Sequence, residues 1–136
     1  MPSLTRWYIR AAFIYLLLGF TVGALLLINK GIQLFPSLWR WLPVHIEFLL
    51  YGWVMQLTLG MAFWILPRYW QKPRRPKESY ARAAFVLLNL GLWLVVAQAV
   101  LPVGRWALVA GKGLELGAVF CFALHAWRRI VSRQGP

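Results

Sequence analysis

Five ionisable side chains stand inside or at the edge of long apolar stretches: His45, Glu47, Lys112, Glu115 and His125. An imidazole at the end of an apolar helix can ligate haem iron or copper, or it can be an ordinary polar residue solvated at a membrane interface. His45 is the first candidate haem ligand and His125 the second. At about 100° per residue, Glu47 lies roughly 200° round a helix from His45, so the two make no metal pair on one face. Glu47 would instead reach Tyr51, four residues on.

Lys112 and Glu115, at i and i+3, are neighbours on a helix and able to neutralise each other. Ionisable residues inside a membrane are also functional candidates by default. The same pair therefore allows a proton or ion pathway, or a contact with a partner subunit's charge. No nucleophile–base set, phosphate loop, Cys-x-x-Cys or His-Glu-x-x-His motif is present. Cys121 is the single cysteine, so no intrachain disulfide can form. The chain holds no complete active site and is expected to be at most part of an oxidoreductase, not an enzyme by itself.

Such residues need elements that hold them at fixed depths. Hydrophobic residues make up 61% of the 136 and charged residues only 13%, against roughly 45–50% and 25% in soluble domains. A soluble fold of this size could not cover so much apolar surface with so little charge. The expectation is a single all-α integral membrane domain over 1–136, with four transmembrane helices at about 7–28, 43–66, 79–101 and 103–127. The first run is too long for the apolar part of a signal peptide, and Asn29-Lys30-Gly31 is a poor cleavage site. Phe35, Trp39 and Trp41 suit the headgroup level of an interfacial loop, with a short helical turn after Pro36. Pro43 suits a first helical turn, Ser79 an N-cap, and Pro67 and Pro102 the ends of helices two and three. Pro67, Pro73 and Pro76 keep the basic loop 67–78 non-helical.

Small and polar residues mark the packing faces. His45, Gly52, Gln56 and Gly60 fall on one face of the second helix. Gly19 and Gly23 form a GxxxG pair, and Gly113, Gly117 and Cys121 recur every four residues; both patterns let backbones approach. Asn89 and Gln98 point to roughly opposite faces of the third helix. At least one needs a partner on another helix, because an unpaired amide in hydrocarbon is costly.

The formal charge of +12 does not indicate nucleic acid, because the basic residues sit in short runs between apolar segments. Arg6, Arg10, Arg68, Lys72, Arg74, Arg75, Lys77, Arg82, Arg128, Arg129 and Arg133 fall on one side of a four-span topology, and only Lys30, Arg40 and Arg105 on the other. By the positive-inside rule both termini are cytoplasmic, with the basic loop against anionic lipid heads. In that topology His45 and His125 lie near opposite faces, roughly 25–30 Å apart. One chain therefore cannot clamp a haem between them, since metal–nitrogen bonds are about 2 Å.

The stretch from His45 to Arg68 reads H-x-E-x-L-L-x-G-W-x-x-Q-x-x-x-G-x-x-x-W-x-x-P-R, with His45, Leu49, Gly52, Trp53, Gln56, Gly60, Trp64, Pro67 and Arg68 at its fixed positions. It resembles the haem–copper oxidase subunit I superfamily, above all its short, four-helix, oxidase-like relatives. Asn89-Leu90-Gly91 is similar to the same group. The resemblance implies that His45 is an axial ligand of a low-spin haem. It also implies that the second ligand and the copper-site histidines belong to later helices that this chain lacks. The family's twelve helices form three arcs of four, so a four-helix chain resembles one arc, and three copies would close a ring.

Three functions follow as expectations. The first is a small accessory subunit of a bacterial electron-transfer complex, respiratory or photosynthetic, in the cytoplasmic (inner) membrane beside other redox subunits. The second is a haem- or metal-binding protein that uses His45 and is completed by self-association, a trimer for example. The third is a proton or ion pathway through Lys112 and Glu115.

Overall fold

The structure is a computed structural model that describes residues 1–33, 35–66, 78–101 and 103–131. Pro67, Arg68, Lys72, Pro73, Arg74, Arg75, Pro76 and Lys77 of the basic loop, with Pro102 and Arg133, lie outside the described residues, as does the side chain of Arg128.

Every regular element among the described residues is helical. Helix α1 covers Ser3–Ile32, a 3₁₀ turn Pro36–Trp41, α2 Leu42–Glu47, a π-helical stretch Phe48–Met55, α3 Gln56–Ile65, α4 Glu78–Val100 and α5 Trp106–Val131. Backbone angles stay helical at Trp41, Phe48, Met55 and Gln56, so α2, the π stretch and α3 form one unbroken rod. Four helices are long and apolar enough to cross a membrane: Ser3–Ile32, Pro36–Ile65, Glu78–Val100 and Trp106–Trp127.

α1 runs four residues further at each end than hydropathy indicates. At its start Leu4 and Thr5 are buried. At its end Gln33 adopts a left-handed conformation, φ 52°, and its N–H donates to Asn29 O. The Asn29 side chain then holds the departing chain, donating Nδ2–H to Phe35 O at 2.9 Å and accepting Phe35 N–H at 2.8 Å. The 3₁₀ turn opens with Pro36 at its first position, where a missing N–H costs nothing. α4 starts at Glu78, one residue before the expected cap Ser79. α5 starts at Trp106 rather than 103, because Gly104 and Arg105 form the turn that leads into it.

α1 and the second rod pack antiparallel along their length. A β-carbon at Gly60 would meet Tyr8 Cβ at 2.6 Å, one at Gly52 would meet Tyr15, one at Gly19 Leu49 and one at Gly23 His45. The GxxxG pair of α1 and the small-residue face of the second rod are thus two sides of one seam. α4 and α5 form the other tight pair: Gly91 and Gly111 face each other so closely that a β-carbon on Gly111 would stand 2.8 Å from Gly91 O. The expected stripe on α5 is not this contact. A β-carbon on Gly113 would meet nothing within 4 Å and one on Gly117 only Leu87 at 3.9 Å, while Cys121 packs against the apolar interior, so the stripe does not form one close-packed face.

Two apolar clusters fill the interior. One holds Tyr8, Phe63, Leu88, Ala118 and Phe122, the other Tyr15, Val44, Phe48, Leu92 and Val96, and Tyr51 packs against both. Leu17, Leu27, Leu116, Phe120 and Trp127 are exposed on the outer surface, the pattern of side chains that face lipid.

Candidate functional site

The contacts that hold the bundle also order it from end to end. Tyr8 Oη–H donates to Ala81 O at 2.9 Å, and Arg129 Nη1–H donates to Phe63 O at 3.0 Å, with Nη2 on Leu66 O. The start of α1, the end of the second rod, the start of α4 and the end of α5 therefore share one end of the bundle. His45 opens the other end.

His45 sits in the first turn of the second rod, across from the GxxxG pair. Its Nδ1 lies 2.8 Å from Gly19 O. A carbonyl only accepts, so Nδ1 carries the proton and the lone pair is left on Nε2. The ring lies over Gly23, where a β-carbon would be 2.5 Å from Cε1. Beside it opens a cavity of about 340 Å³ lined by Phe20, Gly23, Leu27, Trp39, Leu42 and His45. Trp39 separates it from a second cavity bordered by Asn29, Lys30, Gln33 and Pro36. An imidazole fixed through one nitrogen by a backbone carbonyl, with the other nitrogen free to ligate, is the usual setting of a metal-bound histidine. An apolar wall with a cation beyond it suits a flat hydrophobic group with acidic edges. The residues present therefore fit a haem on one of its faces.

His125 is at the opposite end of the molecule. It is buried, stacks on Phe63 with ring centres 5.3 Å apart and lies against Phe122. His45 and Phe63 are eighteen residues apart on one rod, roughly 27 Å, so the two imidazoles are not brought together. Among the described residues no group of three or more His, Cys, Asp or Glu is placed to hold a metal ion.

Midway along the rod, Gln56 is fully buried and joins a network across three helices. Tyr15 Oη–H donates to Asn89 Oδ1 at 2.6 Å. Asn89 Nδ2 donates to Phe85 O at 2.7 Å and to Gln56 Oε1 at 3.3 Å. Asn89 thus has the interhelical partner that its place in hydrocarbon demands.

The charged cluster differs from expectation in one respect. Lys112 does pair with Glu115, at 3.0 Å, but its nearer partner is Glu47 of α2, at 2.7 and 3.0 Å to the two oxygens. The ammonium also lies 4.0 Å from the centre of the Tyr51 ring. Glu47 and Tyr51 are thus linked through a lysine of α5, a tertiary contact that i, i+4 spacing cannot reveal. Arg129 is a second surprise. It belongs to a basic tail by sequence, yet it is only 4% exposed and binds the last carbonyls of the second rod.

No family model, curated protein or solved structure matches the chain. Fold and site together define a chain whose described elements are all helical, with four among them long and apolar enough to cross a membrane, a fixed imidazole at one end and a shared lysine between two carboxylates nearby.

Proposed function

We propose that the chain is a small integral subunit of a bacterial electron-transfer assembly in the cytoplasmic membrane, and that its contribution is one imidazole, His45, that would hold a haem. The observation that carries the reading is the Nδ1–H bond of His45 to Gly19 O, which leaves Nε2 without that partner in a residue that lines an apolar cavity at the bundle surface. A bound haem would supply one-electron redox chemistry. This chain's residues would hold it: His45 through Nε2, the aliphatic wall of α1 and Trp39 against the ring, and Lys30 beside its acidic edge. His125, stacked on Phe63 at the far end, would not reach the same group.

The orientation belongs to the same proposal. Arg6, Arg10 and Arg82 stand at the end where α1 begins and α5 ends, which supports a cytoplasmic placement of that end, set against anionic lipid heads. A purely bracing role is the second reading. It is favoured by Gly113, which faces outward with no neighbour within 4 Å, as if to receive a helix of another subunit.

A reduced-minus-oxidised absorbance spectrum of the protein in mild detergent tests the choice. A haem band that vanishes in His45→Ala supports the redox reading, whereas a stable, colourless protein supports the bracing role against it. Native mass measurement then separates a homotrimer from a one-to-one complex with other subunits.

A further inference from the structure

We infer that Glu115, packed with Glu47 around the single ammonium of Lys112, binds one exchangeable proton inside the membrane. Glu47 is 4% and Glu115 2% exposed, and they come from different helices. One ammonium serves both: Lys112 Nζ reaches both oxygens of Glu47 and Oε2 of Glu115. The fourth oxygen, Oε1 of Glu115, is sealed from the surface and has no hydrogen-bond partner. With both carboxylates ionised the cluster carries one uncompensated negative charge away from water, which is costly. A cationic side chain of a neighbouring protein cannot reach a sealed oxygen. A proton can.

The other groups around the site do not supply the missing charge. Tyr51, from the π stretch, turns its ring face to the ammonium and adds no positive charge. α4 faces Glu115 with Gly91, where a β-carbon would be 2.9 Å from Glu115 Cγ. His45, two residues before Glu47, is engaged with α1.

Lys112 is the member of the cluster nearest the surface. Its side chain is 40% exposed, and it stands six residues into α5, about 9 Å from the helix start. It is the member of the cluster that touches both the buried oxygens and the outside. On release, the O–H bond of Glu115 breaks, the proton passes to water, and the cluster goes from neutral to one negative charge. Nothing is oxidised or reduced. The site stands whether or not His45 carries a haem.

The infrared spectrum of the full chain in lipid vesicles tests this directly, because the sequence has only three acidic side chains, the third being Glu78. The expected result is a carboxylic C=O band that shifts in heavy water and disappears on alkalinisation. It should be lost in Glu115→Gln and equally in Glu47→Gln, since either variant leaves one carboxylate for one ammonium. If one of these variants fails to fold, the other reads the same quantity. Lys112→Met should keep the band, because Glu115 then lacks its cation altogether. The absence of a carboxylic band at every pH where the protein stays folded would overturn the inference. So would a band that persists unchanged in both glutamine variants.

Discussion

Gly23 and His45 occupy one volume: a β-carbon on the glycine would stand 2.5 Å from Cε1 of the imidazole. Gly23→Ala therefore pushes the ring away from α1 and breaks its bond to Gly19 O. Forced repacking of this kind costs about 1–3 kcal/mol, read as a lower unfolding temperature in detergent. Any haem absorbance should fall with it. Gly31→Ala is the control: nothing lies within 4 Å of that position, and the change should be neutral or stabilising by up to about 1 kcal/mol.

Lys112→Met removes the cation from between two buried carboxylates. Breaking a buried ion pair from one side costs about 3–5 kcal/mol, and the partial exposure of Lys112 places this variant near the lower end. Adding Glu47→Gln to Lys112→Met should recover a large part of the loss. Thermal unfolding of the two variants side by side measures the recovery. A double variant no more stable than the single one would contradict the charge argument.

Asn89→Leu leaves Tyr15 Oη and Gln56 Oε1 without their partner in the middle of the bundle. Polar contacts between membrane helices average about 0.6 kcal/mol and reach roughly 1.7, so a loss of about 1–2 kcal/mol is expected. Tyr15→Phe, which removes one of these bonds, should lose less. A double-mutant cycle on Tyr15 and Asn89 gives the coupling.

Arg129→Leu uncaps the second rod, whose final carbonyls at Phe63 and Leu66 take the guanidinium. Hydrogen bonds to charged groups contribute about 1.5–3 kcal/mol each, so a loss of about 2–4 kcal/mol is expected. Hydrogen exchange should show early opening of residues 60–66. Trp127, exposed two residues earlier on the same helix, should tolerate Trp127→Leu with little change.

Four spans were legible in the sequence because apolar length is a one-dimensional signal, as Ser3–Ile32 and Glu78–Val100 illustrate. The packing face His45–Gly52–Gln56–Gly60 was legible for the same reason: spacing along one helix predicts which residues share a side. Contacts between helices were not. Glu47 pairs with Lys112, sixty-five residues away, and no periodicity encodes that. Small-residue spacing also misled on α5, where Gly111 meets α4 and Gly113 does not. Both lie in one glycine-rich turn, and only the neighbour's position decides between them. Arg129 has the composition of a lipid-side charge, and nothing in its local sequence marks it as a cap.

The wide turn over Phe48–Met55 has a mechanical meaning. A π segment behaves like an α-helix that has accommodated one extra residue. Deleting a single residue there, Leu50 for instance, would let the rod relax to ordinary pitch and swivel everything before it by about 100°. Gln56 and Gly60 would keep their neighbours, while His45 and Glu47 would turn off theirs together. That eight-residue stretch is thus the phase adjuster that lets one rod serve a polar network below and two separate sites above.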